Sequence, residues 1–260
     1  RLIHRPHGIV IVTGPTGSGK TTTLYSALRE LNDVAVKILT AEDPVEYDID
    51  GLVQVQINEE IGLTFARCLR HFLRQDPDIV LVGEVRDLQT GEISVQASLT
   101  GHLVFTTLHT NDAPSSITRL LDLGLEPFLI TATLEAIVAQ RLVRTICPRC
   151  KESYVPTAEM LMELGLTPED VAGRTFSRGA GCGYCRDTGY SGRMAIYEIM
   201  VLDDELRQII MERASTSVLR EAARKRGMRT LRETGLLVIY DGQTTIEEVV
   251  SQTIYEEVES

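Results

Sequence analysis

Short runs of Val, Ile and Leu recur through the first half of the chain, and between them apolar residues return every three to four positions. The first pattern reads as strands and the second as amphipathic helices. Strands are predicted at residues 9–13, 36–41, 78–83 and 103–108. Helices are predicted at residues 20–31, 65–74, 90–99, 115–123 and 128–140. Asp50-Gly51 lies between apolar stretches and predicts a hairpin over residues 45–57. Strands that alternate with helices in this way wind into an α/β fold with a mainly parallel sheet.

The pattern changes near residue 146. Residues 146–193 hold four paired cysteines among the turn formers Gly179, Gly181, Gly183, Gly189 and Gly192, which suits a small metal-stapled lobe. Residues 194–260 read as a helical region, with helices at 206–211, 218–226, 231–240 and 246–250. Its acidic end, Glu256-Glu257-Val258-Glu259-Ser260, is expected to be mobile. The predicted division is 1–145, 146–193 and 194–260. Neither an internal repeat nor a low-complexity tract is visible.

Composition narrows the class. The 260 residues are 43% hydrophobic and 24% charged, ordinary values for a globular chain. Twenty-six basic against 37 acidic residues give a net charge of −11, which argues against nucleic acid as a partner. No apolar run approaches the roughly 18 residues of a membrane span. The first residue is Arg1 and no signal peptide precedes the first strand, so a piece of a longer protein is expected. Cys147-x-x-Cys150 and Cys182-x-x-Cys185 predict one tetrahedral Zn²⁺ on four thiolates, with two disulfides or four free thiols as the alternatives. Cys68 stands alone and reads as core packing. A reducing compartment follows from this cysteine usage.

Gly14-Pro15-Thr16-Gly17-Ser18-Gly19-Lys20-Thr21 fits G-x-x-x-x-G-K-[ST] between a predicted strand and a predicted helix. Glycines allow the backbone to curl so that N–H groups converge on phosphate oxygens, and the helix presents its positive end to them. Lys20 is expected on the β- and γ-phosphates and the Thr21 hydroxyl on Mg²⁺, with Thr22 beside it. Glu84 ends the strand at 78–83, where such proteins hold Mg²⁺, usually through an aspartate. Glu42 and Glu46 both qualify by type to prepare an attacking water, and Pro44 fixes a bend of unknown direction between them. His109 ends the fourth strand on the ligand side of the sheet and is a candidate γ-phosphate sensor, ahead of His102 at the other end. In the helix at 65–74, Phe65, Cys68, Leu69, Phe72 and Leu73 form an apolar stripe, while Arg67, Arg70, His71 and Arg74 face away. That basic face is either solvated or aimed at triphosphate or a neighbouring subunit.

These segments together resemble the secretion ATPase superfamily. The phosphate loop, Thr40-Ala41-Glu42-Asp43-Pro44-Val45-Glu46-Tyr47, Val82-Gly83-Glu84-Val85-Arg86-Asp87 and the His102 to His109 segment are similar to its phosphate loop, acidic box, metal-binding strand and histidine box, in the same order. The cysteine pairs and Gly189-Tyr190-Ser191-Gly192-Arg193 narrow the resemblance to the type II secretion and type IV pilus assembly branch. The retraction ATPases typically lack the cysteines. The resemblance implies a RecA-like P-loop domain and ATP hydrolysis with Mg²⁺. It implies that Glu46 prepares the water, Glu84 serves the metal, His109 meets the γ-phosphate, and Arg70 and Arg74 contact nucleotide and couple subunits. It also implies hexamers at the cytoplasmic face of the inner membrane, with platform and bitopic membrane proteins as partners. An amino-terminal domain that helps close the site belongs to this pattern, so slow turnover is expected of these residues alone. The rivals are a pilus retraction ATPase, a nucleotide kinase, which should carry an arginine-rich lid, and a non-catalytic zinc- and nucleotide-binding regulatory domain.

Overall fold

Unbroken apolar runs are covered on both faces in the computed structural model, which describes residues 2–253. The acidic residues 256–260 lie outside the described residues. In the first part of the chain, β1 (Gly8–Thr13), β2 (Ile38–Glu42), β3 (Val53–Gln56), β4 (Ile79–Val82) and β5 (Leu103–Leu108) alternate with α1 (Lys20–Leu31), α2 (Phe65–Phe72) and α3 (Leu88–Leu99). Next come α4 (Ala113–Asp122), α5 (Pro127–Thr133), β6 (Leu134–Ile146), β7 (Lys151–Tyr154), α6 (Ala158–Met162), β8 (Phe176–Gly179) and β9 (Tyr190–Val201). Four helices finish the described chain: α7 (Asp204–Met211), α8 (Thr216–Lys225), α9 (Leu231–Tyr240) and α10 (Ile246–Thr253).

Seven strands form one sheet in the order β3-β2-β4-β5-β1-β6-β9, and the pairs from β3 to β6 are parallel. By contacts the chain groups into two units. The first comprises the residues up to Thr16, Lys20–Ala139 and Ile199–Met228; the second comprises Gly17–Gly19, Gln140–Glu198 and the residues from Arg229 onward. This grouping cuts the chain differently from the three-part division read from the sequence.

In the first unit, Val10 and Val12 of β1 join Leu24, Tyr25 and Leu28 of α1, with Leu81 and Phe105, in one core cluster. The alternate residues Ile9 and Ile11 face the opposite layer with Val95, Leu120 and Ile130. Burial of successive residues on both faces is what made the strands read as continuous apolar runs. Phe105 is 1% exposed, and Phe105→Ala is expected to cost ~3–5 kcal/mol, read as an early midpoint in denaturant unfolding.

Helix starts are set by side-chain caps. Thr64, Asp87, Asp112, Asp203, Ser215 and Thr230 each accept an N–H from the first turn, and Thr230 with Glu233 forms a capping box. In the second unit, α9 and α10 approach closely at Gly235, where a Cβ would lie 2.4 Å from Val249 Cγ1.

Three sequence expectations are corrected. The hairpin over 45–57 does not form: only β3 is a strand there, and it pairs parallel to β2. The chain does turn at Asp50-Gly51, with Leu52 N–H on Ile49 O at 3.2 Å, but Ile49 N–H goes to the Gln54 side chain instead of a ladder. The helix expected over 128–140 ends at Thr133, and Leu134 onward pairs with β1, because apolar residues interrupted only by Thr131, Thr133 and Glu135 carry no clean period that separates helix from strand. Residues 194–201, expected as the start of the helical region, lie in β9.

Candidate functional site

The phosphate-loop sequence leaves β1 at Thr13 and enters α1 at Lys20. Gly14, Gly17 and Gly19 have φ of 147°, 82° and 86°, conformations open to glycine, so the loop curls. Among the described residues, nothing lies within 4 Å of a Cβ placed on Gly17. Lys20 Nζ donates to Gly14 O at 2.7 Å and Pro15 O at 3.1 Å, which holds the ammonium over the mouth of the curl. Ser18 Oγ is buried without a hydrogen-bond partner among the described residues. An orphaned hydroxyl, an ammonium and a glycine curl at a helix start together fit a polyphosphate.

At the carboxyl end of β4, Gly83 N–H and C=O are both engaged: Gly83 donates to Ala41 O at 2.8 Å and accepts from Thr107 Oγ1 at 2.5 Å. The next residue is Glu84. One of its carboxylate oxygens pairs with Arg86 and the other lies 3.5 Å from His109 Nε2. Arg86 also reaches Asp43 at 3.6 Å. The hydrogen bond that Arg86 donates to Glu84 raises the Arg86 pKa further. The His109 pKa falls below its ordinary value, first through partial burial and then through the Lys20 ammonium, which favours the neutral ring. His109 is thus close enough to Lys20 to feel its charge. His102 is different: its Nδ1 lies 2.8 Å from Ala97 O and 3.0 Å from Thr100 Oγ1, a structural bond at the end of α3.

The two glutamates of the acidic segment diverge. Glu42 is 4% exposed, and its carboxylate accepts from Tyr25 Oη, from Thr40 Oγ1 at 2.5 Å and from Gln54 Nε2 at 3.2 Å. Glu46 is exposed, and only its backbone N–H is held, by Tyr25 Oη at 3.3 Å. Glu42 is therefore a buried structural acid, and Glu46 is free for solvent chemistry.

Arg70 and Arg74 line an open groove of about 450 Å³ with Gly62, Thr64, Arg67 and His71. No phosphate-loop residue is among its walls. Sequence reasoning did not single out Arg86, Asp43, Tyr25 or Gln54. A basic residue two positions after a strand-end acid was a signal for Arg86, whereas nothing in the sequence marks the hydroxyl of a core tyrosine.

In the second unit, Cys147, Cys150, Cys182 and Cys185 meet, all four sulfurs within 4.8 Å of one another and none in a disulfide. The Sγ–Sγ distances are 3.9 Å for Cys147–Cys182, 3.8 Å for Cys150–Cys185 and 3.7 Å for Cys182–Cys185. A regular tetrahedron with Zn–S bonds of about 2.3 Å has edges of about 3.8 Å, which these three separations match, so the cluster fits such an ion. The ladder of β7 with β8 explains the meeting. It pairs Lys151 with Gly179, which sets Cys150 and Cys182 at the same end of the ribbon. Gly179 and Gly189 touch backbone to backbone, where a Cβ on Gly179 would lie 2.0 Å from Gly189 O. Gly189 in turn accepts from Cys147 N–H at 2.9 Å and donates to Cys185 Sγ at 3.3 Å.

The model of a family described as type II/IV secretion system protein matches residues 1–251. The type IV pilus assembly ATPase PilB of Myxococcus xanthus is 53% identical over 252 residues, 96% of this chain and 44% of that protein. The type II secretion system protein E of Pseudomonas aeruginosa is 51% identical over 251 residues, 96% of this chain and 49% of that protein. The chain thus spans about half the length of the curated relatives it matches. Among solved structures, the pilus retraction motor PilT with bound ADP matches with a TM-score of 0.72 at 30% identity, over 96% of this chain and 62% of that one. The ATPase DotB of Legionella pneumophila matches with a TM-score of 0.68 at 27% identity, over 97% of this chain and 61% of that one.

Proposed function

The chain belongs to the type II/IV secretion system protein family, and from that membership we propose that it hydrolyses ATP to drive type II secretion or type IV pilus assembly. The observation that carries this reading is the grouping of Lys20, Glu84 and His109 at the carboxyl ends of parallel strands, where open α/β sheets keep their ligands. Gly14 to Gly19 cradle the phosphates through backbone N–H groups, with Pro15, Thr16, Gly17 and Ser18 forming the turn. Lys20 pairs with the β- and γ-phosphates. Thr21 and Glu84 hold Mg²⁺, which neutralises charge on the phosphates, and Thr22 stands beside them. Glu46 orients the attacking water and takes its proton. His109, being neutral, donates to or accepts from the γ-phosphate region without adding a full charge. Arg70 and Arg74 act on nucleotide or a neighbouring subunit from their separate groove.

Cys147, Cys150, Cys182 and Cys185 hold a structural Zn²⁺. Four thiolates leave no open position for chemistry on it. The working assembly is a homo-oligomer, a hexamer in the full-length protein, at the cytoplasmic face of the inner membrane, with platform and bitopic membrane proteins as partners. None of the helices among the described residues is long and apolar enough to cross a membrane. The PilT likeness in fold also suits a retraction motor. Identity above 50% to assembly and secretion proteins, with the cysteine cluster, favours the assembly side.

Lys20→Ala tests the binding step. A charge-assisted hydrogen bond contributes about 1.5–3 kcal/mol, so affinity for ATP·Mg²⁺ is expected to fall about 10- to 100-fold while the melting temperature holds. Undiminished affinity in a folded Lys20→Ala protein overturns the assignment.

A further inference from the structure

Tyr25 lies on α1, five residues after Lys20, and is 1% exposed. A phenol hydroxyl in a core needs partners, and this one has three. It donates to the buried Glu42 carboxylate and accepts from Glu46 N–H at 3.3 Å and from Gln54 Nε2 at 3.4 Å. The segment from Asp43 to Leu52 has no strand ladder of its own, so these side chains hold it. Gln54 completes the support from β3: it accepts from Ile49 N–H at 2.6 Å and donates to Tyr47 O at 3.2 Å. The Tyr47 ring stands edge-on to Tyr25 at 4.8 Å, and the Arg29 guanidinium, one turn further along α1, covers that ring at 5.2 Å.

We propose that Tyr25 is a positioning residue for ATP hydrolysis: its hydroxyl ties the acidic segment to α1, the helix that begins at Lys20, and thereby fixes where Glu46 stands relative to the phosphate loop. This inference rests on the reading of Glu46 as the residue that prepares the water. The rise from Lys20 to Tyr25 along the helix is about 7.5 Å, so one rigid element spans the proposed phosphate contact and the anchor of the proposed base. Burial, and then the bond to Glu42, hold the Tyr25 phenol well above its ordinary pKa, so it stays protonated and keeps donating. The Glu46 carboxylate makes no contribution to this anchor. Only its backbone is held, which leaves the side chain free for the water while its origin is fixed.

The test uses the full-length, assembled protein. Tyr25→Phe keeps the ring and its contact with Tyr47 but removes the hydroxyl. A displacement of about 1 Å in a catalytic group can cost on the order of 10²-fold, so kcat is expected to fall at least ~10-fold, with KM and the affinity for a non-hydrolysable ATP analogue within about twofold. In a Glu46→Gln background the added Tyr25→Phe change should lower kcat by less than about twofold, because the group being positioned is already gone. Parent-like kcat in Tyr25→Phe, with Glu46→Gln inactive, overturns the inference and leaves the Glu46 reading intact. A full multiplicative loss in the double variant also overturns it, since Tyr25 would then act by general loosening. Parent-like turnover in Glu46→Gln overturns the reading itself. If Tyr25→Phe does not fold, Gln54→Leu removes the second support from a half-exposed strand, and the same kcat loss and non-additivity are required of it.

Discussion

Glu46→Gln is expected to bind ATP·Mg²⁺ as tightly as the parent protein and to hydrolyse it ~10²–10⁴-fold more slowly, the usual contribution of a positioned general base. The neighbouring Glu42 has no such capacity, because Tyr25, Thr40 and Gln54 occupy its carboxylate in the core. A carboxylate that is 4% exposed and held by three core donors is shut off from the water it would have to prepare. The two acids should therefore fail differently. Glu42→Gln leaves buried donors mispaired and is expected to lower stability by about 1–3 kcal/mol. Glu46→Gln changes an exposed side chain and should leave stability within about 0.5 kcal/mol. Single-turnover kinetics beside thermal melts separate these outcomes. Parent-like hydrolysis by Glu46→Gln removes it from the mechanism.

Metal analysis of protein purified without a chelating tag should find close to one zinc per chain. The three measured sulfur separations, 3.7–3.9 Å, match the edge of a ZnS₄ tetrahedron and lie far beyond an S–S bond of about 2.05 Å. Structural zinc contributes on the order of 10–16 kcal/mol in isolated fingers. Here the ribbon of β7 and β8 already brings the cysteines together, so metal removal should loosen the lobe without erasing it. Cys147→Ser is the sharpest probe, because that sulfur is fully buried and no water can replace it as ligand. Its zinc content should fall towards zero and its melting transition should move down. A zinc-free parent with four free thiols and an unchanged melt rules the site out.

The parallel sheet was legible because four of its strands, such as Ile79–Val82, are buried at every position and rich in β-branched residues. Helices such as Lys20–Leu31 and Leu231–Tyr240 were legible from apolar spacing and from what bounds them. The second half was harder for physical reasons. In β9, Ile196, Glu198 and Met200 are buried in strict alternation, but the middle one is an acid, so the hydropathy pattern hides the strand. In β6 the reverse holds, since Leu134, Ala136, Ile137 and Ala139 are all buried and carry no period. The motif residues of the site were legible by spacing. Their supports were not: the partners of Tyr25 lie on β2, on β3 and in the segment between them, and a hydroxyl in a helical apolar stripe looks like packing.

The grouping of the chain into two interleaved units limits how relatives can be recombined. The polypeptide passes from one unit to the other at five points, the last two at Glu198–Ile199 and Met228–Arg229. Within the first unit, Arg220 of α8 reaches the buried Asp112 at 2.7 Å, Thr216 meets Thr118 at 2.8 Å, and Arg213 pairs with Glu126 at 3.2 Å. A chimera spliced once, near residue 145 or 193, would marry α4 and α5 of one parent to α7 and α8 of the other. Asp112 would then depend on a foreign arginine for neutralisation in a desolvated place. Exchange of the cysteine-bearing unit between relatives therefore requires a mosaic in which residues 199–228 travel with the strands of the first unit, with at least the three junctions 139/140, 198/199 and 228/229.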